Sequence, residues 1–489
     1  MDAVTAPAEP LGDLAATAHG RRIAIVGAGI AGLVAALECA KVGLQVTVIE
    51  EAETLGGAIR LAEISGVTLD VGADGWSTAG GHVRGLVDEL GLADAVTPET
   101  PRGAWVTGIP SGAAPLPAGT LLGIPANPWD PAVRRVIGWR GVWRAYLDRL
   151  RPPLTIGQER NLDKLVRGRM GDLVADLLVA PLSVGRHGLA PAEVDVDLAA
   201  PGLSTALTRT GSLSGAVAQL SGDAAPTYET LEGGMGLLVE ALRSRLEVLG
   251  ADVIAGSRVR GLVAVPGARP TWEVLHGRDP DAADERVVAD DVIVAVPERE
   301  ARRLLAAHVE GLEVEPRSES TLEIVTLLVH APGLDDHPRG SAVYPVPGTH
   351  TTSAVVHTSA RWPWLSDRLG PGRHVVRIVL RGEGSAGRTP RAADQQLIAL
   401  AEAEASALLG VPLTVEGARV DRFAAAPPRA ALGQVTMAQA VRTAVRSTPG
   451  LAVTGAWISG SGLAQVVPDA VTEAERVRRR ALWGSAAIE

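Results

Sequence analysis

A glycine-rich turn near the amino terminus restricts the folds open to this chain more than any other segment. Gly27, Gly29 and Gly32 have the spacing G-x-G-x-x-G, directly after an apolar run at 23–26 and ahead of a second apolar run at 46–49. Between the two runs, apolar residues recur at the spacing of an amphipathic helix, at Ile30, Leu33, Val34 and Leu37. Strand, turn, helix and strand in this order predict a βαβ unit of a doubly wound α/β fold.

Each glycine of this turn has a separate physical role. The first permits the tight turn, the second lets the backbone approach a pyrophosphate, and the third allows the helix to pack on the strand. The amino end of the helix then faces the anion. Glu50 ends the second apolar run, 18 residues after Gly32, where a carboxylate accepts both ribose hydroxyls and disfavours a 2′-phosphate. The sequence therefore predicts a dinucleotide site for NAD or FAD, with NADP disfavoured.

The segment after the second strand favours FAD over NAD. EEAETLGGAIR, at 50–60, places Gly56 and Gly57 just beyond this strand. This pattern resembles the double-glycine signature of a large flavoprotein group, in which the segment passes close to the FAD pyrophosphate. GVTLDVGADGW follows at 66–76, and NAD dehydrogenases do not usually carry such a sequence at this point. We therefore expect FAD as the cofactor.

Composition and charge exclude several classes of protein. A net charge of −10 with no basic block argues against a nucleic-acid partner. The single cysteine, Cys39, rules out an internal disulfide and suits a reducing cytoplasm. The longest apolar run, at 23–37, is too short to span a membrane, and the first 20 residues are typical of a disordered tail rather than a secretory signal. The histidines show no metal-ligand spacing and no G-x-S-x-G elbow occurs, so we expect a cytoplasmic protein that is neither a metalloenzyme nor a hydrolase.

The order of the sequence patterns predicts two interleaved domains. Helical patterns extend to about 220, and β-branched runs between about 317 and 380 predict an antiparallel sheet. We expect an α/β chain in which a Rossmann-type FAD-binding domain is interleaved with an α+β substrate-binding domain. After a disordered tail at 1–20, the FAD-binding domain is predicted to comprise 21–95, 228–300 and 448–480, and the substrate-binding domain 96–227 and 301–447.

Several segments resemble those of one family, in the same order along the chain. They are PLPAGTLLGIP at 115–125, LVADLLVAPLSVGRHG at 173–188, LEGGMGLLVEAL at 231–242, TSARWPWLSDRLGPGRHVVRI at 358–378 and VTGAWISGSGLAQVVPDAV at 453–471. The family is that of the bacterial oxygen-dependent coproporphyrinogen III and protoporphyrinogen IX oxidases, within the amine-oxidase-like flavoproteins. The resemblance covers roughly residues 22–478.

The resemblance implies that the chain returns to the FAD-binding domain at its end. The first glycine turn then holds the phosphates, and the last one closes over the isoalloxazine ring, toward which a helix directs its positive end. The cofactor-binding residues implied by the motifs and by the resemblance are Gly27, Ala28, Gly29, Ile30, Ala31, Gly32, Glu50, Glu51, Gly57, Ala58, Gly72, Ala73, Asp74, Gly75, Val259, Ala456, Ser461, Gly462 and Leu463.

The resemblance also implies an activity. A porphyrinogen would lose six electrons in three rounds at one flavin, and O₂ would be reduced to H₂O₂, in haem biosynthesis. No side chain can be assigned as a catalytic acid or base. Propionates in a chain of net negative charge need local cations, and the candidate substrate residues are Arg102, Arg186, His187 and Arg361. Coproporphyrinogen III is favoured over protoporphyrinogen IX, because a soluble chain suits a substrate with four propionates.

Two other functions stay open. One is that of another flavin oxidase or desaturase of the same superfamily, since the GIYAG segment of the family is VGRHG here and its aromatic residue is replaced by His187. The other is that of a non-catalytic binding protein on the same fold, although the intact glycine turn and Glu50 argue against it. The pathway also suggests transient contact with the next enzyme of haem synthesis, whereas the oligomeric state leaves no signal in the sequence.

Overall fold

The computed structural model describes residues 18–150, 159–221, 227–267, 271–279, 281–313, 321–381 and 394–483. Residues 1–17 of the predicted disordered tail lie outside the described residues. Ala18 is 1% exposed and packs in the core around the first helix, so ordered structure begins before residue 21. Within the described part of the chain, no helix combines the length and the apolar character needed to cross a lipid bilayer.

The described residues form strands, helices and short turns along the whole chain. The strands, numbered β1 to β22 in chain order, are Arg22–Val26, Gln45–Ile49, Leu61–Ile64, Val67–Asp70, Trp76–Ser77, Val96–Pro98, Ala104–Ile109, Gly112–Pro115, Thr120–Leu121, Ile124–Pro125, Tyr228–Leu231, Asp252–Ile254, Arg258–Val265, Thr271–Gly277, Glu285–Ala289, Asp291–Val294, Thr321–His330, Ala342–Pro345, Ala354–His357, Arg373–Arg381, Thr414–Ala424 and Leu451–Val453. The α-helices are Ile30–Ala40, His82–Glu89, Pro131–Tyr146, Leu162–Met170, Asp172–Val174, Ala180–Leu182, Val196–Ala199, Leu203–Thr210, Leu213–Leu220, Gly236–Val248, Glu298–Leu305, Thr358–Arg361, Pro363–Leu369, Asp394–Leu409, Gln434–Arg446, Ala456–Ser459 and Leu463–Trp483. The π-helical stretches are Ala175–Val179 and Ser183–His187, and the 3-10 turns are Ala93–Ala95, Leu147–Leu150, Pro191–Glu193 and Pro332–Leu334.

Five parallel strands form the first sheet, in the order β12-β2-β1-β16-β22. These strands come from three distant parts of the chain. Alternate residues of β1 face opposite cores, because Ile23 belongs to the core around the helix Ile30–Ala40, whereas Ala24 belongs to the core that includes the helix Gln434–Arg446. A parallel sheet covered on both faces is the Rossmann-type arrangement, so the predicted α/β class is confirmed.

The second large sheet has seven strands, in the order β21-β17-β20-β19-β18-β7-β8. It is antiparallel except for the parallel pair of β18 and β7. The antiparallel sheet predicted between about 317 and 380 is confirmed by β17 and β20, which pair along their whole length. Val376, Ile378 and Leu380 of β20 pack in a core with the helix Asp394–Leu409. The intervening residues of β20 point to the opposite face of the sheet.

The helices between Pro131 and Leu220 form a separate core, which also includes side chains of β7. This confirms the predicted helical region. The Pro- and Gly-rich segment at 110–131 precedes most of this helical region and contains β8, β9 and β10. Gly123 packs its backbone against Leu178, where a Cβ would lie 2.5 Å from the Leu178 carbonyl oxygen. This close approach fixes the hairpin of β9 and β10 on the helical region.

Candidate active site

Two glycines of the first turn are required by the fold itself. Gly27 has a φ of +98°, and a Cβ there would lie 2.8 Å from Val296 and 2.9 Å from the Ala295 carbonyl oxygen. A Cβ on Gly32 would overlap the carbonyl oxygen of Gly27. The helix Ile30–Ala40 therefore packs directly on the turn, in agreement with the role predicted for the third glycine.

Gly29 differs from these two glycines, because the space next to it is open. A Cβ there would meet only the Cα of Gly57, at 4.0 Å. Gly29 is also the N-cap of the helix Ile30–Ala40, and no side chain caps this helix. Open space at an uncapped helix amino end exposes backbone N–H groups and the positive end of the helix dipole, and such an end binds phosphate. The open helix end at Gly29, with Ile30 and Ala31 in the first helical turn, is therefore a candidate anion cradle.

The double-glycine segment forms a second wall of this cradle. Gly56 and Gly29 form a parallel β-bridge, and the Gly56 N–H donates to the Ala28 carbonyl over 2.8 Å. A Cβ on Gly57 would lie 3.1 Å from the Cα of Gly29. The two glycine segments that the sequence predicts at a pyrophosphate are therefore in backbone contact with each other.

Glu50 lies at the carboxyl end of β2, beside the first turn. Its Oε2 accepts a hydrogen bond from the Ala28 N–H over 2.7 Å, and its Oε1 accepts one from the Ala52 N–H over 3.0 Å. These contacts hold the carboxylate at the cradle, where the sequence predicts it to accept ribose hydroxyls.

Glu51 and Val259, also predicted to bind the cofactor, lie near the same strand end. The residues just ahead of β13 hydrogen-bond to the backbone of Glu50. Glu51 is exposed, with its carboxylate 3.5 Å from the Arg258 guanidinium. The carbonyl of Val259 accepts a hydrogen bond from Arg303 over 2.8 Å. The Val259 carbonyl therefore already has a protein partner.

The carboxyl-terminal glycine turn follows β22, which is parallel to β1 in the same sheet. Both turns therefore lie at the carboxyl edge of that sheet, where doubly wound folds bind their ligands. Gly460 and Gly462 have φ values of +102° and +120°, and the helix Leu463–Trp483 begins directly after them. Ser461 is exposed between them, and Ala456 begins a one-turn helix just ahead.

The two helices that begin at the glycine turns pack side by side. Apolar residues of Ile30–Ala40 and Leu463–Trp483 share one core. Arg478 also donates to Glu38 twice, to the carbonyl over 3.0 Å and to the carboxylate over 2.9 Å. The end of the chain thus joins the layer that the first turn begins, as the resemblance implied.

Asp74 has protein partners for its carboxylate. Its oxygens lie 3.3 Å from Arg377 and 3.7 Å from Arg361, and the Trp362 indole N–H donates to it over 3.2 Å. Burial by itself would raise the pKa of this carboxyl, but the two guanidiniums and the indole together hold the pKa below its ordinary value. The side chain therefore anchors the segment 72–75 to the seven-stranded sheet through Arg377.

The other residues of this segment are packed through their backbones. The Ala73 N–H donates to the Ala58 carbonyl over 2.8 Å, and a Cβ on Gly72 would overlap the same oxygen. A Cβ on Gly75 would lie 2.6 Å from the Glu229 carbonyl oxygen. Both glycines therefore permit approaches that a side chain would block.

Two of the predicted substrate residues meet at the ring of Tyr228. The Arg186 guanidinium lies 5.3 Å from the ring centroid, and that of Arg361 lies 4.7 Å from it. Arg361 also donates to Glu99 over 3.0 Å, so that Glu99 and Asp74 together neutralise its charge. Arg186 forms no ion pair with a carboxylate of the described residues, and its side chain is exposed.

His187 and Arg102 have different surroundings. The side chain of His187 reaches solvent although protein surrounds most of it. Burial, and then the charge of Arg186, lower the pKa of His187 to about 4, so the imidazole is neutral at pH 7. The Arg102 Nε donates to the Ala360 carbonyl over 3.1 Å. The structure therefore brings Arg186, His187 and Arg361 together and turns Arg102 toward the backbone beside Arg361.

Three residues of this site, Arg377, Trp362 and Tyr228, were not predicted from the sequence. A signal for Arg377 exists, since arginines recur every fourth residue in the otherwise apolar strand RHVVRIVLR at 373–381 and must share one face. Tyr228 has no such signal, because its position depends on the pairing of β11 with β5, two segments far apart in sequence.

The residues at the carboxyl edge of the parallel sheet fit FAD. The open cradle at Gly29 offers N–H donors to a pyrophosphate. Glu50 offers carboxylate oxygens to a ribose. The amino end of the helix Leu463–Trp483 supplies a positive dipole end for the negative charge that a flavin ring acquires on reduction.

Comparisons with known proteins show the family and the fold of this chain. Residues 30–482 match a family described as flavin containing amine oxidoreductase. A coproporphyrinogen III oxidase of Mycobacterium bovis is 28% identical over 91% of this chain and 94% of its own length, and one of Propionibacterium freudenreichii is 24% identical over 94% and 91%. A crystal structure from Exiguobacterium sp. 255-15, provisionally assigned as a protoporphyrinogen oxidase, has a TM-score of 0.81 at 21% identity, over 94% of this chain and 98% of that one. The resemblance predicted from the sequence motifs is confirmed, and so is the fold.

Proposed function

Because the chain belongs to the family of flavin-containing amine oxidoreductases and its cofactor is FAD, we propose that it oxidises coproporphyrinogen III to coproporphyrin III. In this reaction O₂ is the final electron acceptor and H₂O₂ the by-product, and the pathway is haem biosynthesis. Relatives that span nearly the whole chain and carry the name coproporphyrinogen III oxidase support this substrate.

On the cofactor side, the chain binds and orients. Gly29 and the first helical turn hold the pyrophosphate, Glu50 holds the ribose, and the segments at 72–75 and 460–463 face the ring system. FAD, when bound, supplies the acceptor for hydride and the site at which O₂ is reduced. Gly72 and Gly75 let the first of these ring-facing segments pack closely on the Ala58 and Glu229 carbonyls, which would hold its backbone in place beside the ring.

On the substrate side, one observation carries the proposal: Arg186 keeps an accessible guanidinium without a carboxylate partner among the described residues, at the ring of Tyr228. In a chain with a net charge of −10, such a cation is a binding partner for an anionic substrate. Coproporphyrinogen III has four propionates, which suit a guanidinium, and an apolar macrocycle, which suits an aromatic ring beside it.

The other predicted substrate residues act less directly in this proposal. Glu99 and Asp74 neutralise Arg361, so it positions Tyr228. His187 is neutral at pH 7 and contributes a hydrogen bond rather than a charge. Arg102 donates to the backbone at Ala360 and so supports the helix Thr358–Arg361, which carries Arg361.

The strands of the two large sheets support the domain division proposed from the sequence. The parallel sheet draws strands from 21–95, 228–300 and 448–480. The seven-stranded sheet draws strands from 96–227 and 301–447. We propose these ranges as the two domains, and the cytoplasm as the location of the protein.

Growth of porphyrin fluorescence in air tests the function. Purified protein that carries FAD is given coproporphyrinogen III or protoporphyrinogen IX, with protein from which the FAD has been removed as the control. We expect faster, FAD-dependent growth on coproporphyrinogen III, with three H₂O₂ formed per porphyrin. Preference for protoporphyrinogen IX would overturn the choice of substrate, and no growth above the uncatalysed rate on either would overturn the function.

A further inference from the structure

The strand β20 directs Arg377 and Arg381 toward the side of the seven-stranded sheet on which the segment 71–74 lies. Arg377 donates hydrogen bonds to the carbonyls of Val71 and Gly72 and lies 3.3 Å from Asp74, so its side chain faces that side. Arg381 follows four residues later and shares this face, because side chains alternate along a strand. The two arginines thus point the same way, but their surroundings differ.

Arg381 is half-buried and has no counter-charge within the part of the chain that the structure describes. No carboxylate of the described residues forms an ion pair with it, its buried Nε has no hydrogen-bond partner, and burial alone lowers its pKa. Arg302 differs, since it is buried and its Nε lies 2.8 Å from the carboxylate of Glu298. A buried guanidinium without a partner destabilises a fold, so a protein that keeps one has a use for the charge.

The segment that carries Arg186 packs on the same face of the sheet. A Cβ on Gly185 would overlap the ring of Tyr344, and a Cβ on Gly188 would overlap the Arg381 guanidinium. Gly188 follows Arg186 by two residues, and the side chain of Arg186 is exposed without an ion pair to the described residues. Arg186 thus belongs to this short segment and Arg381 contacts it, and neither guanidinium forms an ion pair with a carboxylate of the described residues.

We propose that Arg381 and Arg186 together form a carboxylate-binding site in the substrate cavity, which takes propionate groups of the substrate. The planar fork of a guanidinium donates two parallel hydrogen bonds to a carboxylate, so two arginines suit two propionates or two oxygens of one. The proposal rests on the proposed function for the identity of the carboxylate. Arg381 is thereby a specificity-determining residue that the sequence motifs do not mark.

Binding of coproporphyrin III and of its uncharged tetramethyl ester tests this site. Titrations of FAD-loaded protein compare the wild type with the variants Arg381→Gln, Arg381→Lys and Arg186→Gln. The control is Arg368→Gln, which changes an exposed arginine on the helix Pro363–Leu369. We expect Arg381→Gln and Arg186→Gln each to weaken binding of the free acid by at least about tenfold, since a hydrogen bond to a charged group is lost. Arg381→Lys should keep part of the affinity, and Arg368→Gln all of it.

A structural role for Arg381 would give a different result. Arg381→Gln removes an uncompensated charge, so its midpoint of thermal unfolding should equal or exceed that of the wild type, with the same FAD content. A fall in both the unfolding midpoint and the FAD content of Arg381→Gln would overturn the proposal. Equal affinity of the wild type for coproporphyrin III and for its tetramethyl ester would also overturn it. Arginine-dependent binding of the acid without oxidation of the porphyrinogen would support the site and overturn the proposed reaction. A wild type that neither binds nor oxidises would overturn both.

Discussion

The cofactor side and the substrate side of this active site depend on different kinds of interaction. On the cofactor side, the contacts are mainly those of backbone groups and glycines, and Gly29 and Gly57 meet through their backbones. On the substrate side, charged side chains from distant segments meet, as Arg361 does with Glu99 across 262 residues of sequence. A backbone site fails when a side chain intrudes, whereas a site made of charges fails when a charge loses its partner.

Valine at Gly32 should have the largest effect. Its Cβ would overlap the Gly27 carbonyl oxygen, and backbone cannot move aside without opening the turn. We expect a loss of several kcal/mol, a large part of the roughly 5–15 kcal/mol that stabilises a typical protein. Soluble yield and urea unfolding measure the loss.

Valine at Gly29 separates cofactor binding from folding. The space beside Gly29 is open, so Gly29→Val should fold with near-normal stability but carry no FAD. Gly85→Val is the matched control, because Gly85 is an exposed helical glycine and a Cβ there would have nothing within 4 Å. FAD per chain, measured from absorbance, decides the outcome. Full FAD content in Gly29→Val would show that the cradle is elsewhere.

A change at Asp74, which joins the cofactor side to the substrate side, should have the next largest effect on stability. Asp74→Asn removes the carboxylate that Arg377 and Arg361 share, and leaves Arg377 buried without its counter-charge. Breaking a buried ion pair costs about 3–5 kcal/mol, which urea unfolding would detect. Asp367→Asn, on an exposed part of a nearby helix, should cost less than about 0.5 kcal/mol. A cost below about 1 kcal/mol for Asp74→Asn would mean that the charge network does not hold the two sides together.

The same difference explains how much could be predicted from sequence. The βαβ unit, the glycine roles and Glu50 follow from a few neighbouring residues, whose spacing fixes their geometry. The pairing of Arg186 and Arg361 at Tyr228 does not follow from spacing, since β11 pairs with β5 and brings the tyrosine from another part of the chain.

Asp74 shows a second limit of prediction. The motif places its backbone near a cofactor, but the partners of its carboxylate come from the helices and strand around 361–377. Arg381 shows the opposite case, because the two-residue period of β20 already put it on the face of Arg377. What the sequence could not show is that Arg377 finds a carboxylate whereas Arg381 finds none among the described residues.

The smallest expected effect is on the substrate side, at His187. The pKa of His187 is lowered from about 6.5 to about 4, mainly by burial, so the folded protein binds this proton less tightly than the unfolded chain does. Its contribution to stability is therefore complete above pH 6.5 and is lost as the pH falls toward 4. His187→Gln removes this dependence, and the free energy of unfolding of the variant relative to the wild type should rise between pH 7.5 and pH 4.5. Because the side chain is accessible, solvent screening limits the gain to about 1 kcal/mol.

Between pH 6 and 8 the KM of the variant should follow that of the wild type in parallel, since the imidazole is neutral throughout. A stability difference that does not change with pH would show that burial does not lower the pKa of His187.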